Sequence, residues 1–182
     1  MAAFMASIEI YIRVALGENP SEMVISPCNL GQRFARTALN IPLKRVVQMA
    51  NFVGFTLECI ERILEENKHR LTRLWVTGHP GKLAKVLDGS WDTHSQNSGS
   101  AVSTLCQIGK EFGFAQGVLS QIEQSRTVQG VIDLLESEPG ASKFWSMIEQ
   151  RIGKLISERL TRVEQVTVRL FQMDGTALGG LA

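Results

Sequence analysis

Three short apolar runs, MVIS (23–26), VVQMA (46–50) and LTRLWVT (71–77), each lead within a few residues into a segment of helical spacing. No other feature restricts the fold as much. Short buried runs rich in Val, Ile and Leu suit strands covered on both faces, and an intervening helix supplies the crossover that a parallel neighbour needs. After the first run, Leu30, Phe34 and Ala38 fall on one helical face, and after the second, Phe52, Phe55, Cys59 and Ile63 step by three and four. After the third, Gly78 to Gly81 turn directly into KLAKVLDG. This rhythm predicts a parallel sheet with helices on its faces.

From Ser98 to Leu160 the pattern is wholly helical, with segments around Val102 to Phe112, Val118 to Ile122, Val128 to Leu135, and Trp145 to Leu155; EPG (138–140) separates the last two. RVEQVTVRLF (162–171) then alternates as a final strand, and DGTALGGLA reads as a turn and a frayed end. At the start, Ile8, Ile10, Ile12 and Val14 alternate with Glu9, Tyr11, Arg13 and Ala15, a period of two that predicts a further strand. The expected class is α/β: four parallel strands flanked by helices, a helical insertion before the last strand, and an extra N-terminal strand.

Composition narrows the function. With 44% hydrophobic and 20% charged residues the chain can bury a core, and a net charge of +1 gives no electrostatic case for nucleic acid or an anionic membrane. No run of eighteen uncharged apolar residues occurs, and the opening segment carries Glu9 and Arg13 without a basic leader, so neither a membrane span nor a signal peptide is expected. The three cysteines, Cys28, Cys59 and Cys106, are far apart and odd in number, which fits a reducing cytoplasm. His69, His79 and His94 lack the close spacing of a compact metal site, so no protein-held metal is expected.

In an open parallel sheet, ligands gather beyond the carboxyl ends of the strands where strand order reverses. Three loops qualify: SPCNLG, ANFVG and TGHPGK. Gly78 and Gly81 allow close approach to the main chain, and Lys82 places a cation in a first helical turn, where an anionic guest would explain it and plain solvation explains it equally. Asn29 and Asn51 suit helix caps as well as ligand contacts. His79 suits proton transfer or a structural role, and Trp91 suits packing. WDTHSQNSGS (91–100) is rich enough in Asp, His, Ser and Asn to turn or to bind. Neither of the two best-known glycine-rich phosphate loops is present.

RVVQMANFVGF (45–55) followed by VTGHPGKLAKVLDGSWDTHS (76–95) resembles the cobalt-precorrin-5B C(1)-methyltransferase family, with SIEIYIRVALG and VISPCNLGQRFA adding to the likeness. Similarity runs from about Ser7 to Ser95 and more loosely to the last strand. The resemblance implies a sheet in the order 2-1-3-4, so that SPCNLG and TGHPGK face each other across the reversal. It also implies transfer of a methyl group from S-adenosylmethionine to carbon 1 of a cobalt corrinoid, with cobalt arriving only inside the substrate, in the cytoplasm. Family members carry an additional N-terminal half with a threonine- and glycine-rich motif. The expectation is therefore that residues 1–20 form a strand and linker to a missing domain, that 21–182 form the α/β domain, and that the partner is a separate N-terminal half or a second copy.

Under that reading, Asn29, Gly31, Asn51, Gly78 and Gly81 are candidates for the methyl donor. Arg33, Lys82, Thr93 and Ser95 are candidates for the acidic arms of the corrinoid, with Arg36 and Lys85 as further cations that suit solvated helix faces. His79, Asp92 and His94 are candidates to steer a proton after alkylation. The alternative is a non-catalytic module that binds S-adenosylmethionine or a tetrapyrrole and needs another half for turnover.

Overall fold

The structure, a computed structural model, describes residues 2–94 and 100–180. Four strands, β1 (Glu22–Ser26), β2 (Val46–Gln48), β3 (Leu71–Gly78) and β4 (Val163–Leu170), form one parallel sheet in the order β2-β1-β3-β4. Helices α2 (Leu30–Thr37) and α3 (Val53–Glu66) are the crossovers, and α4 (Pro80–Leu83) runs into a 3₁₀ turn at Ala84–Asp88. The predicted insertion follows as α5 (Val102–Phe112), α6 (Gln116–Gln124), α7 (Val128–Leu135) and α8 (Ala141–Ser157).

The register aligns Met23 with Leu74, Ile25 with both Val47 and Val76, and Val76 with Val168, so these side chains share one face. That face belongs to the large core, which also takes Leu57, Ile60 and Ile63 of α3 and Phe144, Ile148, Ile152 and Ile156 of α8. The opposite face is covered differently. Val24, Val46 and Trp75 meet Ala35 and Phe34 of α2 in a small separate cluster, while Arg73 and Gln165 on β3 and β4 bond each other there at 2.7 Å.

The N-terminal segment corrects its prediction: residues Ala2–Leu16 form a helix, α1, not a strand. Ile8, Ile12, Ala15 and Leu16 are buried, whereas Ile10 and Val14 are 60% and 56% exposed. A strand would have put Ile8, Ile10, Ile12 and Val14 on one side; the observed set follows the helical steps of four, three and one. The β-branched residues met both periods, and contact with α3 chose between them. Glu9 and Arg13 of α1 form an ion-pair cluster with Arg62 and Glu66 of α3. The Arg13 guanidinium holds the Glu66 carboxyl below its ordinary value, and the Arg13 and Arg62 guanidiniums, with Arg13 the larger influence, do the same for Glu9. Helix α1 thus contributes Ile8, Ile12, Ala15 and Leu16 to the core.

The expected frayed end is also corrected up to residue 180. Leu178 N–H donates to Leu170 C=O at 2.9 Å, Gly180 N–H donates to Ser146 Oγ at 2.9 Å, and Leu178 is buried. Glu149, 4% exposed, anchors this turn by accepting from Leu170 N–H at 2.7 Å and Arg169 Nη1 at 3.2 Å. No helix among the described residues is long and apolar enough to cross a membrane.

Candidate functional site

The loops after β1, β2 and β3 meet beyond the carboxyl ends of the strands. Parallel pairing brings their ends together, since Ser26 pairs with Gln48 and Ile25 with Val76. Side chains then stitch the loops. Gln48 Nε2 donates to Asn29 Oδ1, and Lys82 Nζ donates to Asn51 Oδ1. Met49 N–H continues the ladder to Ser26 C=O at 2.9 Å. SPCNLG and TGHPGK do lie side by side at the strand-order reversal.

The reversal itself is filled with protein. Ser26 and Thr77 are fully buried. A Cβ built on Gly31 would lie 2.5 Å from Thr77 Oγ1 and 2.6 Å from Ser26 Oγ, so the missing side chain lets α2 descend onto the sheet. Beside Gly78, Pro27 fills the equivalent space, with its Cδ 2.9 Å from a built Cβ. Thr77 Oγ1 is buried and has no hydrogen-bond partner among the described residues. The accessible polar surface is the rim above: Asn29 is exposed, and Asn51, His79, Lys82, Asp92 and His94 are half-buried.

Helix α3 begins at Val53 with Phe52 as its cap residue, so Asn51 is not a helix cap and its side chain is available to Lys82. Asn29 does precede α2, but without a side-chain cap bond. Between Gln48 and Asn51, Ala50 holds φ at 48°, in the left-handed region where an alanine is strained by about 1–2 kcal/mol. The segment 91–94 closes the rim from the other side. Gly54 N–H donates to Trp91 C=O at 3.0 Å, Thr93 N–H donates to Asn51 C=O at 2.9 Å, and His94 N–H donates to Asp92 Oδ1 at 3.2 Å. Trp91 packs against Gly54 and under the Arg159 guanidinium, 4.5 Å from the ring centroid, as the packing reading expected.

His79 is held at both ring nitrogens: Nδ1 accepts from Gly81 N–H at 3.0 Å, and Nε2 lies 3.0 Å from Gln129 Oε1. The first bond requires Nδ1 to be unprotonated, so Nε2 carries the hydrogen toward Gln129. Burial lowers the imidazole pKa against the opposing Gln129 bond, which favours the neutral ring. Lys85, expected on a solvated face, is instead buried, with Nζ 3.3 Å from Thr93 C=O. Burial and then the neighbouring Lys82 lower its pKa.

Asn51, Lys82, Lys85, Asp92, Thr93 and His94 are therefore gathered by the structure, and Asn29 joins them through Gln48. Arg33 is directed elsewhere. Its Nη1 donates to Asp174 C=O at 3.4 Å, and with Phe34, Phe171 and Thr176 it lines a cavity of 250 Å³ beyond β4. Arg36 is exposed on α2. Ser95 lies outside the described residues. Gln48 and Gln129 were not among the sequence candidates; glutamine has no spacing signature, and Gln129 lies fifty residues beyond His79. Among the described residues, no group of three His, Cys, Asp or Glu side chains is placed to hold a metal ion.

A parallel sheet in the order 2-1-3-4, with polar loops gathered beyond its carboxyl ends, defines an open, doubly wound α/β domain. Comparison with known proteins shows what the chain is similar to. A family model described as CbiD, C-terminal domain, matches residues 92–180. The chain is 50% identical over 179 residues, 98% of its length, to a cobalt-precorrin-5B C(1)-methyltransferase of Ralstonia nicotianae, of which the match covers 47%. A protein of the same name from Chromobacterium violaceum is 44% identical over 181 residues, covering 100% of this chain and 48% of the relative, and one from Moorella thermoacetica is 28% identical over 178 residues, covering 97% and 47%. No solved structure matches. The likeness to the CbiD C-terminal domain thus lies in residues 92–180, and the chain spans about half the length of the curated relatives it matches.

Proposed function

We propose that this chain takes part in transferring a methyl group from S-adenosylmethionine to carbon 1 of cobalt-precorrin-5B, at the polar rim formed by the loops after β1, β2 and β3. The observation that carries the reading is the 50% identity over nearly the whole chain to a relative of that name; the geometry supports the place. S-adenosylmethionine supplies an electrophilic methyl on a sulfonium. The protein's task in such a displacement is alignment and exclusion of water, without need for a strong base.

The rim has a donor set suited to that task. The amides of Asn29 and Asn51 fit the carboxylate and hydroxyls of the methyl donor, with Gly31, Gly78 and Gly81, whose N–H is given to His79, setting how closely the loops lie. Lys82 fits an acidic arm of the corrinoid, and Arg33 fits an arm reaching toward β4, whereas Thr93 is fully buried and its hydroxyl donates to Asn51 C=O, which makes it a support for the Asn51 loop rather than a contact. His79 accepts the Gly81 N–H and holds that turn, while Asp92 and His94 are the groups assigned to steer a proton after carbon 1 is alkylated. Cobalt belongs to the substrate.

Calorimetric titration of the chain with S-adenosylmethionine, beside transfer of labelled methyl to cobalt-precorrin-5B, tests the reading. Asn51→Ala is expected to weaken donor binding about tenfold, the scale of one hydrogen bond to a polar ligand, with the far-ultraviolet circular dichroism unchanged. Absence of both a binding isotherm and methyl transfer overturns the proposal. Binding that Asn51→Ala leaves untouched overturns the placement at this rim.

A further inference from the structure

Helix α1 turns an uncharged apolar stripe outward. Ile10, Tyr11 and Val14 are 60%, 59% and 56% exposed, Phe4 is 44% exposed, and Leu43, on the 3₁₀ turn packed beside α1, is 50% exposed. Phe4, Ser7, Tyr11 and Val14 are spaced three, four and three, the seam spacing by which one helix receives another. The charges of the helix are spent elsewhere, since Glu9 and Arg13 pair with Arg62 and Glu66 on α3. With those charges tied to α3, Ile10, Tyr11 and Val14 are left as an exposed apolar patch beside Arg13, which is unusual for a surface destined for water.

The relatives supply an occupant. This chain covers 47% and 48% of the two relatives at 50% and 44% identity, and the matched domain is described as the C-terminal one. About half of each of those proteins lies outside the match, and the description of the matched domain as C-terminal places that half ahead of it, so that it would enter beside α1. We infer that the outward face of α1, centred on Ile10, Tyr11 and Val14, is the docking surface for the N-terminal half that these relatives carry. The inference rests on the family likeness and on α1, not on the methyl-transfer reading.

Tyr11 is the single tyrosine of the chain, so its chemistry reports on this face alone. The test joins the segment that precedes the match in the Ralstonia nicotianae relative to residue 1 of the whole chain. Nitration of the peptide holding Tyr11 by tetranitromethane is then followed by mass spectrometry. The expected result is rapid nitration in the chain alone and at least about tenfold slower nitration in the fusion, with Ile10→Glu restoring the fast rate. Because Ile10 is exposed, the variant chain alone should keep its circular dichroism, and Val14→Glu provides a second variant. Equal nitration in chain and fusion overturns the inference. So does a chain that light scattering shows to be dimeric with Tyr11 already protected, since a second copy would then own the face.

Discussion

At Gly31, a hydrogen in place of a side chain decides how closely α2 lies on the sheet. A built Cβ stands 2.5 Å from Thr77 Oγ1, and both Ser26 and Thr77 are fully buried with no room to yield. Gly31→Ala is therefore expected to lower stability by about 1–3 kcal/mol, the range for overpacking a tight contact, read as a fall in the urea midpoint. Glu149 gives a second prediction. Burial raises its pKa despite the Leu170 N–H and Arg169 that favour the charged form. The folded state then binds the proton more tightly than the unfolded chain, so stability falls as pH rises from the ordinary carboxyl value through the raised one. Thermal melts from about pH 4 to about pH 8 should show that slope, and Glu149→Gln should remove it; an unchanged slope would mean that another group titrates. The sequence marked Asn51, Lys82, Asp92 and Thr93 by type and loop position, and the structure gathers them. The sequence carried no sign of Glu149 or Gln129, whose importance comes from partners twenty-one and fifty residues distant.

Elements whose periodicity had one solution were legible. MVIS, VVQMA and LTRLWVT became β1, β2 and β3 within a residue or two, because a run buried on both faces of a parallel sheet has no polar alternation to confuse it. The α8 pattern was equally plain, since Phe144, Trp145, Ile148, Ile152 and Ile156 all face the core. The first fifteen residues had two solutions. Ile12→Ala and Ile10→Ala separate them experimentally, because a strand places both on one face and a helix does not. With Ile12 fully buried and Ile10 60% exposed, the expected costs are about 2–5 kcal/mol and within about 0.5 kcal/mol in chemical denaturation. Similar losses at both positions would return α1 to a strand.

The largest apolar cluster runs without a break from Ile8 of α1 through the sheet to Val168 of β4 and Leu178 beyond it. Unfolding is accordingly expected as one cooperative step, with tryptophan fluorescence and far-ultraviolet circular dichroism tracing superimposable urea curves. An early fluorescence phase would show that the 102–157 insertion melts separately. What the sequence settled by itself was local: which segments are strands, that helices alternate with them, and which loops carry polar residues at helix starts. Those follow from the spacing of apolar side chains and from turn chemistry within a few residues. The strand order was reached from the sequence through family resemblance, not through periodicity. The tertiary structure decided the conformation of residues 2–16, the closing of the reversal by Gly31 and Pro27, the burial of Lys85 and the docking of the tail to residue 180. Each depends on a contact between distant parts of the chain, and a local pattern carries no information about which distant surface will meet it.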